Sequence, residues 1–265
     1  MTAPETGASG SLIQARALGR VYQAQRGEPV VALHDLNFEV ADGEFVSVVG
    51  PSGCGKSTLL NILAGLLGKT SGEVFLRGTP VDGPRRDIGL VFQGPVLLPW
   101  RTVLQNALLP IEVQGLDVDK YRLRARELIK MVGLAQFEDK YPFELSGGMQ
   151  QRNSIVRALV HDPAILLMDE PFGALDAMTR EQMNLLLQKI WMEARKTVLF
   201  ITHSIAEAVF LGDRVIVMSP RPGRIVQTVT VDLPRPRDLD VMTGPEFGDL
   251  VRSIRRHLDA QQGLD

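Results

Sequence analysis

The fold follows from one stretch of the sequence, Gly50-Pro51-Ser52-Gly53-Cys54-Gly55-Lys56-Ser57-Thr58. It lies between the apolar run Phe45–Val49 and a second apolar-periodic run, Leu59–Leu67. A strand, a glycine-rich loop and a helix in this order are the context in which the pattern G-x-x-x-x-G-K-[ST] predicts a phosphate-binding loop. Glycines let successive backbone N–H groups face one anion, and the helix adds the positive end of its dipole. The stretch therefore predicts a nucleotide site, with a glycine-rich turn that binds nothing as the alternative.

Two side chains of this loop are expected to act on the phosphates and their metal ion. In loops of this pattern the lysine, here Lys56, reaches the β- and γ-phosphates, and the hydroxyl of the next residue, here Ser57, binds Mg²⁺. The other loop positions expected at the nucleotide are Gly50, Pro51, Ser52, Gly53, Cys54, Gly55 and Thr58.

The composition is that of an ordinary globular chain, with 265 residues, a hydrophobic content of 45% and a net charge of -2. This length allows one large or two small compact units with a sizeable core. Nucleic-acid-binding domains usually carry a basic footprint, and a pI near 6.1 does not indicate one. We therefore expect no nucleic-acid partner.

The sequence contains a single cysteine, Cys54, so it predicts no internal disulfide and favours a reducing compartment. Residues 1–10 lack a basic region followed by an apolar stretch, so they are expected to form a flexible tail and no signal peptide. No run approaches the ~18 consecutive apolar residues that a membrane-spanning helix needs. A role at a membrane is therefore expected to come through a partner.

Hydrophobic patterning predicts strands that alternate with helices, which is typical of a parallel sheet with crossover helices. Strands are predicted at Leu36–Val40, Gly72–Gly78, Ile88–Gln93, Ala164–Met168, Val198–Thr202 and Arg214–Met218. Helices are predicted at Lys120–Val132, Thr179–Glu193 and Ile205–Leu211, with a terminal helix that contains Phe247 and Leu258. The segment from Gly94 to about Leu159 is mainly helical, so it is predicted to be an insertion between strands.

Two acids, Asp169 and Glu170, end the buried strand Ala164–Met168. Ligands of open α/β sheets bind at the carboxyl ends of the strands, so both acids are expected to reach the nucleotide site. Asp169 is placed to hold Mg²⁺, and Glu170 is placed to orient or deprotonate the attacking water. A strand that ends in a solvated acidic pair is the alternative.

A polar stretch, Leu145–Arg152, begins another predicted helix. Ser146 is a good N-cap, while Gly147 and Gly148 leave the backbone N–H groups uncovered. The stretch is therefore a second possible anion site without a lysine of its own. From the residue types alone, a capped helix start is the favoured interpretation.

Five elements resemble, in their order and spacing, those of the ATPase subunit of an ABC transporter: Gly50–Thr58, Gln93, Leu145–Arg152, Met168–Asp176 and His203. Ser-Gly-Gly-Met-Gln-Gln-Arg is far more specific than the phosphate-binding loop. In that family the serine-glycine signature completes the ATP site of the opposing subunit. The resemblance thus implies that Ser146, Gly147 and Gly148 bind ATP held by a second copy.

The resemblance also implies roles for single residues. Tyr22 corresponds to the aromatic side chain on which adenine stacks, and Gln93 to the glutamine that touches the metal and the water. Glu170 corresponds to the catalytic glutamate, and His203 to the histidine that contacts the γ-phosphate. Asp176 ends the loop that couples the two sites across a dimer.

The resemblance extends over roughly Leu12–Ile225 and implies a domain plan. The expected fold is an α/β P-loop NTPase core, a mostly parallel sheet flanked by helices, with an antiparallel β subdomain and a helical insertion subdomain. One ATPase domain is expected over 11–230, with its core at 11–93 and 161–230 and its helical subdomain at 94–160. A C-terminal helical extension is expected over 231–265.

Two local stretches, Leu97–Val103 and Ser219–Ile225, resemble the nitrate/sulfonate/taurine importer group. That group also includes importers of pyrimidine precursors. The resemblance implies an ATP-hydrolysing subunit that powers the import of a small solute, either nitrate/sulfonate/taurine-like or pyrimidine-precursor-like. It would use ATP and Mg²⁺ and act as a homodimer or paired with a related ATPase. Its expected partners are a membrane permease and, indirectly, an extracytoplasmic solute-binding protein, at the cytoplasmic face of the inner membrane. Trp100 is expected in a partner groove, with a core tryptophan as the alternative.

Two other classes remain as alternatives. A nucleic-acid-linked ABC ATPase would carry a long coiled-coil or zinc-binding insertion, or a second cassette, and the sequence contains neither. A phosphate-loop kinase for a small acceptor would leave the stretch Leu145–Arg152 without a purpose. DNA-stimulated ATPase activity would favour the first class, and a phosphorylated small-molecule product would favour the second.

Overall fold

The predicted strand, loop and helix around the glycine-rich stretch are present in the computed structural model, which describes residues 11–23 and 27–262. Within these residues the chain forms ten strands and seven α-helices. The strands are β1 (Ser11–Tyr22), β2 (Val30–Ala41), β3 (Phe45–Val49), β4 (Ser71–Leu76), β5 (Thr79–Pro80), β6 (Ile88–Val91), β7 (Ile165–Asp169), β8 (Thr197–Ile201), β9 (Arg214–Met218) and β10 (Ile225–Thr230). The helices are α1 (Lys56–Leu63), α2 (Val103–Val113), α3 (Val118–Met131), α4 (Gly147–Leu159), α5 (Ala177–Ala194), α6 (Ile205–Leu211) and α7 (Pro245–Gln262).

The strands form two sheets. The larger has the order β10-β9-β3-β8-β7-β6, in which β3 pairs in parallel with β8 and β9, and only the edge strand β10 is antiparallel. The smaller, β2-β1-β4-β5, is antiparallel. A mostly parallel core sheet beside an antiparallel sheet and a helical segment is the predicted fold, which is therefore confirmed.

Strand β3 separates two apolar cores because its side chains alternate. Phe45 and Val49 face the core that contains the helical segment, whereas Val46 and Val48 face the core beneath α1 and the antiparallel sheet. All five residues of β3 are buried, as expected for a strand covered on both faces. The phosphate-binding loop therefore leaves a strand that is fixed by packing on either side.

Two of the departures from the predicted strands have a clear physical reason. Strand β2 begins at Val30 instead of Leu36, because Asp35 has a φ of 52° and the pairing with β1 shifts register there, which hides the alternation of its first half. Strand β10 was not predicted, since Pro220 and Pro222 just before it indicated a loop. It lies at the edge of the sheet, where one side of a strand needs no partner.

Polar caps define the helical segment. Thr102 accepts a hydrogen bond from the Gln105 backbone N–H, Asp117 accepts one from Asp119, and Ser146 accepts one from Met149. The predicted helix Lys120–Val132 is observed as α3, and Gly133 follows it with a φ of 74°, a conformation that favours glycine. Each helix therefore begins or ends where local sequence chemistry places it.

Arg237 anchors the C-terminal segment to the core. Its buried guanidinium donates to the carbonyls of Val209 (2.9 Å), Phe210 (2.8 Å) and Gly212 (2.9 Å) at the end of α6. Burial lowers the pKa of Arg237 to about 10, which leaves it charged at neutral pH. Helix α7 packs on α6 beyond this anchor, and none of the helices in the described residues has the length and apolarity to cross a membrane.

Candidate nucleotide site

A cavity of about 340 Å³ opens where the phosphate-binding loop meets the carboxyl end of β7. It is lined by Tyr22, Val30, Ala32, Ser52, Gly53, Gly55, Lys56, Ser57, Thr58, Gln93, Asp169, Glu170 and Arg221. The loop requires glycine at Gly55, whose φ is 109° and where a Cβ atom would lie 2.6 Å from Leu33 Cδ2 and 2.9 Å from Ala32 O. Residues that lie far apart in sequence therefore face one concave site.

Lys56 is folded back into its own loop. Its ammonium group is 6% exposed and donates to Gly50 O (2.9 Å) and Pro51 O (3.1 Å), with Glu170 Oε1 at 3.8 Å. The cation therefore already lies inside the ring of backbone groups where the phosphates of a nucleotide are expected.

Ser57, at the start of α1, and Asp169, at the end of β7, lie next to each other. Ser57 Oγ donates to Asp169 Oδ1 at 3.1 Å, and Gln93 lines the same cavity. Burial raises the pKa of the Asp169 carboxyl, and the neighbouring charge of Glu170 raises it further. A desolvated carboxylate beside a hydroxyl and an amide fits Mg²⁺, which takes one or two carboxylates plus waters and phosphate oxygens. No group of three or more His, Cys, Asp or Glu side chains that could hold a metal ion occurs among residues 11–23 and 27–262.

Glu170 is held in an uncommon backbone conformation, with a φ of 42°. Non-glycine residues with positive φ are infrequent, and such strain concentrates at functional sites. Its backbone N–H donates to Ile201 O (2.9 Å), and its carbonyl accepts from Gly173 N–H (3.1 Å). The carboxylate Oε2 lies 3.1 Å from His203 Nδ1. The predicted acid and histidine therefore meet at the cavity edge.

Tyr22 forms the far wall of the cavity at the end of β1. Its hydroxyl lies 3.2 Å from Thr58 Oγ1, and the Arg20 guanidinium lies 4.8 Å from its ring centroid. The ring is 37% exposed, so one face remains accessible. Adenine stacking on Tyr22 stays a prediction.

The signature residues lie outside this cavity. Ser146 caps α4, accepting from Met149 N–H at 3.3 Å, and Ser146 and Gly147 are exposed. Asp176 likewise caps α5, and its bond from Thr179 N–H (3.0 Å) lowers the pKa of its carboxyl. A single chain therefore brings together the loop residues and the residues predicted to bind the metal and the water, and it leaves Ser146, Gly147, Gly148 and Asp176 outside the cavity.

The chain matches the ABC transporter family over residues 33–173. It is 55% identical to the uncharacterized ABC transporter ATP-binding protein MJ0412 of Methanocaldococcus jannaschii over 86% of this chain and 84% of that protein. This chain belongs to the ABC transporter family. The predicted resemblance is thereby confirmed, and with it the interpretation of the chain as an ATPase of that family.

Two further ABC proteins are informative. The chain is 46% identical to the taurine import ATP-binding protein TauB of Rhizobium johnstonii, over 92% of this chain and 95% of TauB. It superposes with a TM-score of 0.74 on a dimeric structure of the ATP-binding cassette MJ0796 in a post-hydrolysis state bound to ADP and Pi. That cassette is 36% identical, over 84% of this chain and all of its own length.

Sequence reasoning missed Glu207, a buried acid that supports the ABC site. Its Oε2 accepts from Thr202 Oγ1 at 2.6 Å, its Oε1 lies 3.4 Å from Arg180 Nε, and burial raises its pKa. Ser204 N–H donates to the same Thr202 hydroxyl at 3.0 Å, so the turn that carries His203 is fixed. The pattern Ser204-x-x-Glu207 could have predicted a capping box, although not this role.

Three further residues, Val30, Ala32 and Arg221, line the cavity although the sequence did not predict them there.

Cys54 is 1% exposed, and burial raises the pKa of its thiol above the usual range. Because thiolate character governs cysteine reactivity, this environment makes the thiol inert. The Cys54 side chain is therefore packed in the core and does not line the cavity.

Proposed function

We propose that this chain is the ATP-hydrolysing subunit of an importer for a small organic solute of the taurine or sulfonate kind. The observation that carries the proposal is that Lys56, Asp169 and Glu170 line one cavity, with His203 Nδ1 3.1 Å from Glu170, in a chain 46% identical to a taurine import ATP-binding protein. The chemical class of the solute rests on that similarity.

The proposed chemistry assigns one task to each residue. Lys56 would leave its contacts with Gly50 O and Pro51 O and hold the β- and γ-phosphates. Ser57, Asp169 and Gln93 would hold Mg²⁺, which when bound neutralises developing phosphate charge. Glu170 would accept a proton from the attacking water, and His203 would keep the Glu170 carboxylate oriented through the 3.1 Å contact.

The site is proposed to be complete only in a pair of chains. The helix start at Ser146 offers backbone N–H groups and a positive dipole end to solvent, and no phosphate-binding loop of the same chain faces it. In a head-to-tail pair, Ser146, Gly147 and Gly148 of one subunit would cover ATP on the loop of the other. The dimeric structure of the cassette MJ0796, bound to ADP and Pi, supports the pairing of two chains. The second subunit would be a copy of this chain or a related ATPase.

The helical segment is proposed to dock on a membrane permease. Trp100 lies in the loop before α2 and is 69% exposed, and nearby Val96 is 61% exposed. Large apolar side chains in water mark interaction sites, and tryptophan is enriched at the centres of interfaces. We therefore place the chain at the cytoplasmic face of the inner membrane, held there by the permease. The solute-binding protein would act on the outer side of that permease.

The test is ATP hydrolysis by the chain assembled with the permease whose coding sequence neighbours its own, in vesicles that enclose the solute-binding protein. We expect taurine or a small sulfonate to raise phosphate release at least about fivefold. Trp100→Ala should keep the basal rate and lose the stimulation, whereas Leu123→Ala, which alters a side chain 68% exposed in the same segment, should keep both. A phosphorylated small molecule as product, or equal stimulation with DNA in place of the permease, would contradict the proposal.

A further inference from the structure

The segment Ser219–Ile225 is packed against the phosphate-binding loop. Gly223 N–H donates to Ala32 O at 2.9 Å, and a Cβ atom on Gly223 would lie 2.1 Å from Cys54 O. Ser219 Oγ binds the carbonyls of Pro220 (2.9 Å) and Pro222 (3.0 Å), which closes the turn on itself. The backbone of this segment is therefore held in place beside the phosphate-binding loop.

Arg221 is the side chain that this segment presents. Its Nη2 and Nε lie 3.2 Å and 3.4 Å from Gly53 O, in the middle of the loop, and it lines the same cavity as Lys56 and Tyr22. Gly53 has a φ of 74°, a backbone conformation that few residues other than glycine adopt. The contact with Arg221 holds the Gly53 carbonyl in that conformation.

The charge of Arg221 is not neutralised within the described part of the chain. None of the ion pairs formed there includes Arg221, and its Nη1 makes no hydrogen bond in that part. A guanidinium stays protonated in proteins and carries five N–H donors in a planar fork, a shape that suits phosphate oxygens. An exposed cation with free donors thus lies at the rim of an anion-binding loop.

We propose that Arg221 is a nucleotide-binding residue that acts on the phosphates. It holds Gly53 so that the loop N–H groups face the phosphate chain, and it adds a second cation to that of Lys56 in the same cavity. The inference rests on the proposed ATP site and adds a residue to it that lies outside the phosphate-binding loop and the acidic strand end. Because Arg221 makes no contact with Glu170 or His203, it affects binding and leaves the chemical step alone.

The test compares ATP dissociation constants of the full chain, measured by calorimetry with EDTA present so that no hydrolysis occurs. We expect Arg221→Ala and Arg221→Gln to weaken ATP binding about tenfold, the effect of losing one charge-assisted hydrogen bond, and Arg221→Lys to weaken it less. With Mg²⁺ added, KM should rise by the same factor at unchanged kcat. The loss should shrink at high salt, which screens exposed charges.

Arg224→Ala is the matched control, since Arg224 is an exposed arginine of the same segment that does not line the cavity. It should bind ATP as the unmodified chain does. If Arg221→Gln bound ATP as tightly as the unmodified chain, the charge of Arg221 would have no role and the side chain would only hold the loop in place. Unchanged ATP binding in Arg221→Ala would overturn the role of Arg221 altogether. Failure of the unmodified chain to bind ATP would count against the proposed function instead.

Discussion

Replacing Glu170 with glutamine is expected to lower ATP turnover by a factor of about 100 or more, because a positioned general base contributes roughly that much to a rate. Glutamine has the same size and can still meet His203 Nδ1, now 3.1 Å from the carboxylate. It cannot accept a proton from water. ATP affinity should stay within about threefold of the original, since Lys56 and the loop N–H groups that bind the phosphates are unchanged.

The same substitution should trap the closed pair. With ATP bound and hydrolysis blocked, the two chains have no step that separates them, so Glu170→Gln should elute as a dimer in the presence of ATP and Mg²⁺. Light scattering after gel filtration measures this. Glu127→Gln is the control, because Glu127 is an exposed acid on α3 outside the cavity. Normal turnover in Glu170→Gln would remove the role assigned to this acid.

Replacing Gly147 with aspartate should also abolish turnover, but by preventing the pair from closing. Gly147 is the first residue of α4, it is exposed, and a Cβ atom there would meet nothing within 4 Å. The new side chain therefore fits the folded chain, and a carboxylate in the first turn of a helix is favourable. In the proposed pair it would face the γ-phosphate of the partner's ATP, where two negative charges repel.

The expected signature of Gly147→Asp is an unchanged melting temperature, unchanged ATP affinity of the single chain, and no dimer with ATP. Turnover should fall by a factor of about 100 or more, because the phosphate would lose preorganised donors of the kind that stabilise transition states. Gly68→Asp adds the same charge at another exposed glycine, where an added Cβ atom would also meet nothing within 4 Å, and it should leave all four properties unchanged. A Gly147→Asp chain that still dimerises and hydrolyses ATP would exclude Ser146–Gly148 from the site.

The sequence predicts the loop side of this site well because its chemistry is local. Strand β3, the glycines and Lys56 lie within one short stretch, residues 45–58. Asp169 and Glu170 end a buried apolar run, and the neighbouring strands of the sheet are apolar runs of the same kind. The cap at Ser146 likewise depends on a neighbouring residue, Met149, and not on distant packing. The alternation of strands and helices supplies the rest of the core.

Residues that reach the site through packing were not predicted. Arg221 enters the cavity because the β9–β10 connection folds onto β2, and Glu207 meets Arg180 because α6 packs against α5. No short-range pattern encodes either contact. The first half of β2, which brings Val30 and Ala32 to the cavity, was hidden by the register shift near Asp35. Ser146 and Gly147 are predicted to bind ATP held by a second chain. The structure of a single chain therefore shows only that these two residues are exposed.

The most direct test of the composite site is the specific ATPase activity of the isolated chain as a function of its own concentration. Each phosphate-binding loop is proposed to need the Ser146–Gly148 helix start of a second subunit, so activity per chain should be low in dilute solution. It should rise with concentration and reach a plateau where sedimentation shows dimers with ATP. A specific activity that stays constant down to concentrations at which the chain is a confirmed monomer would contradict the account.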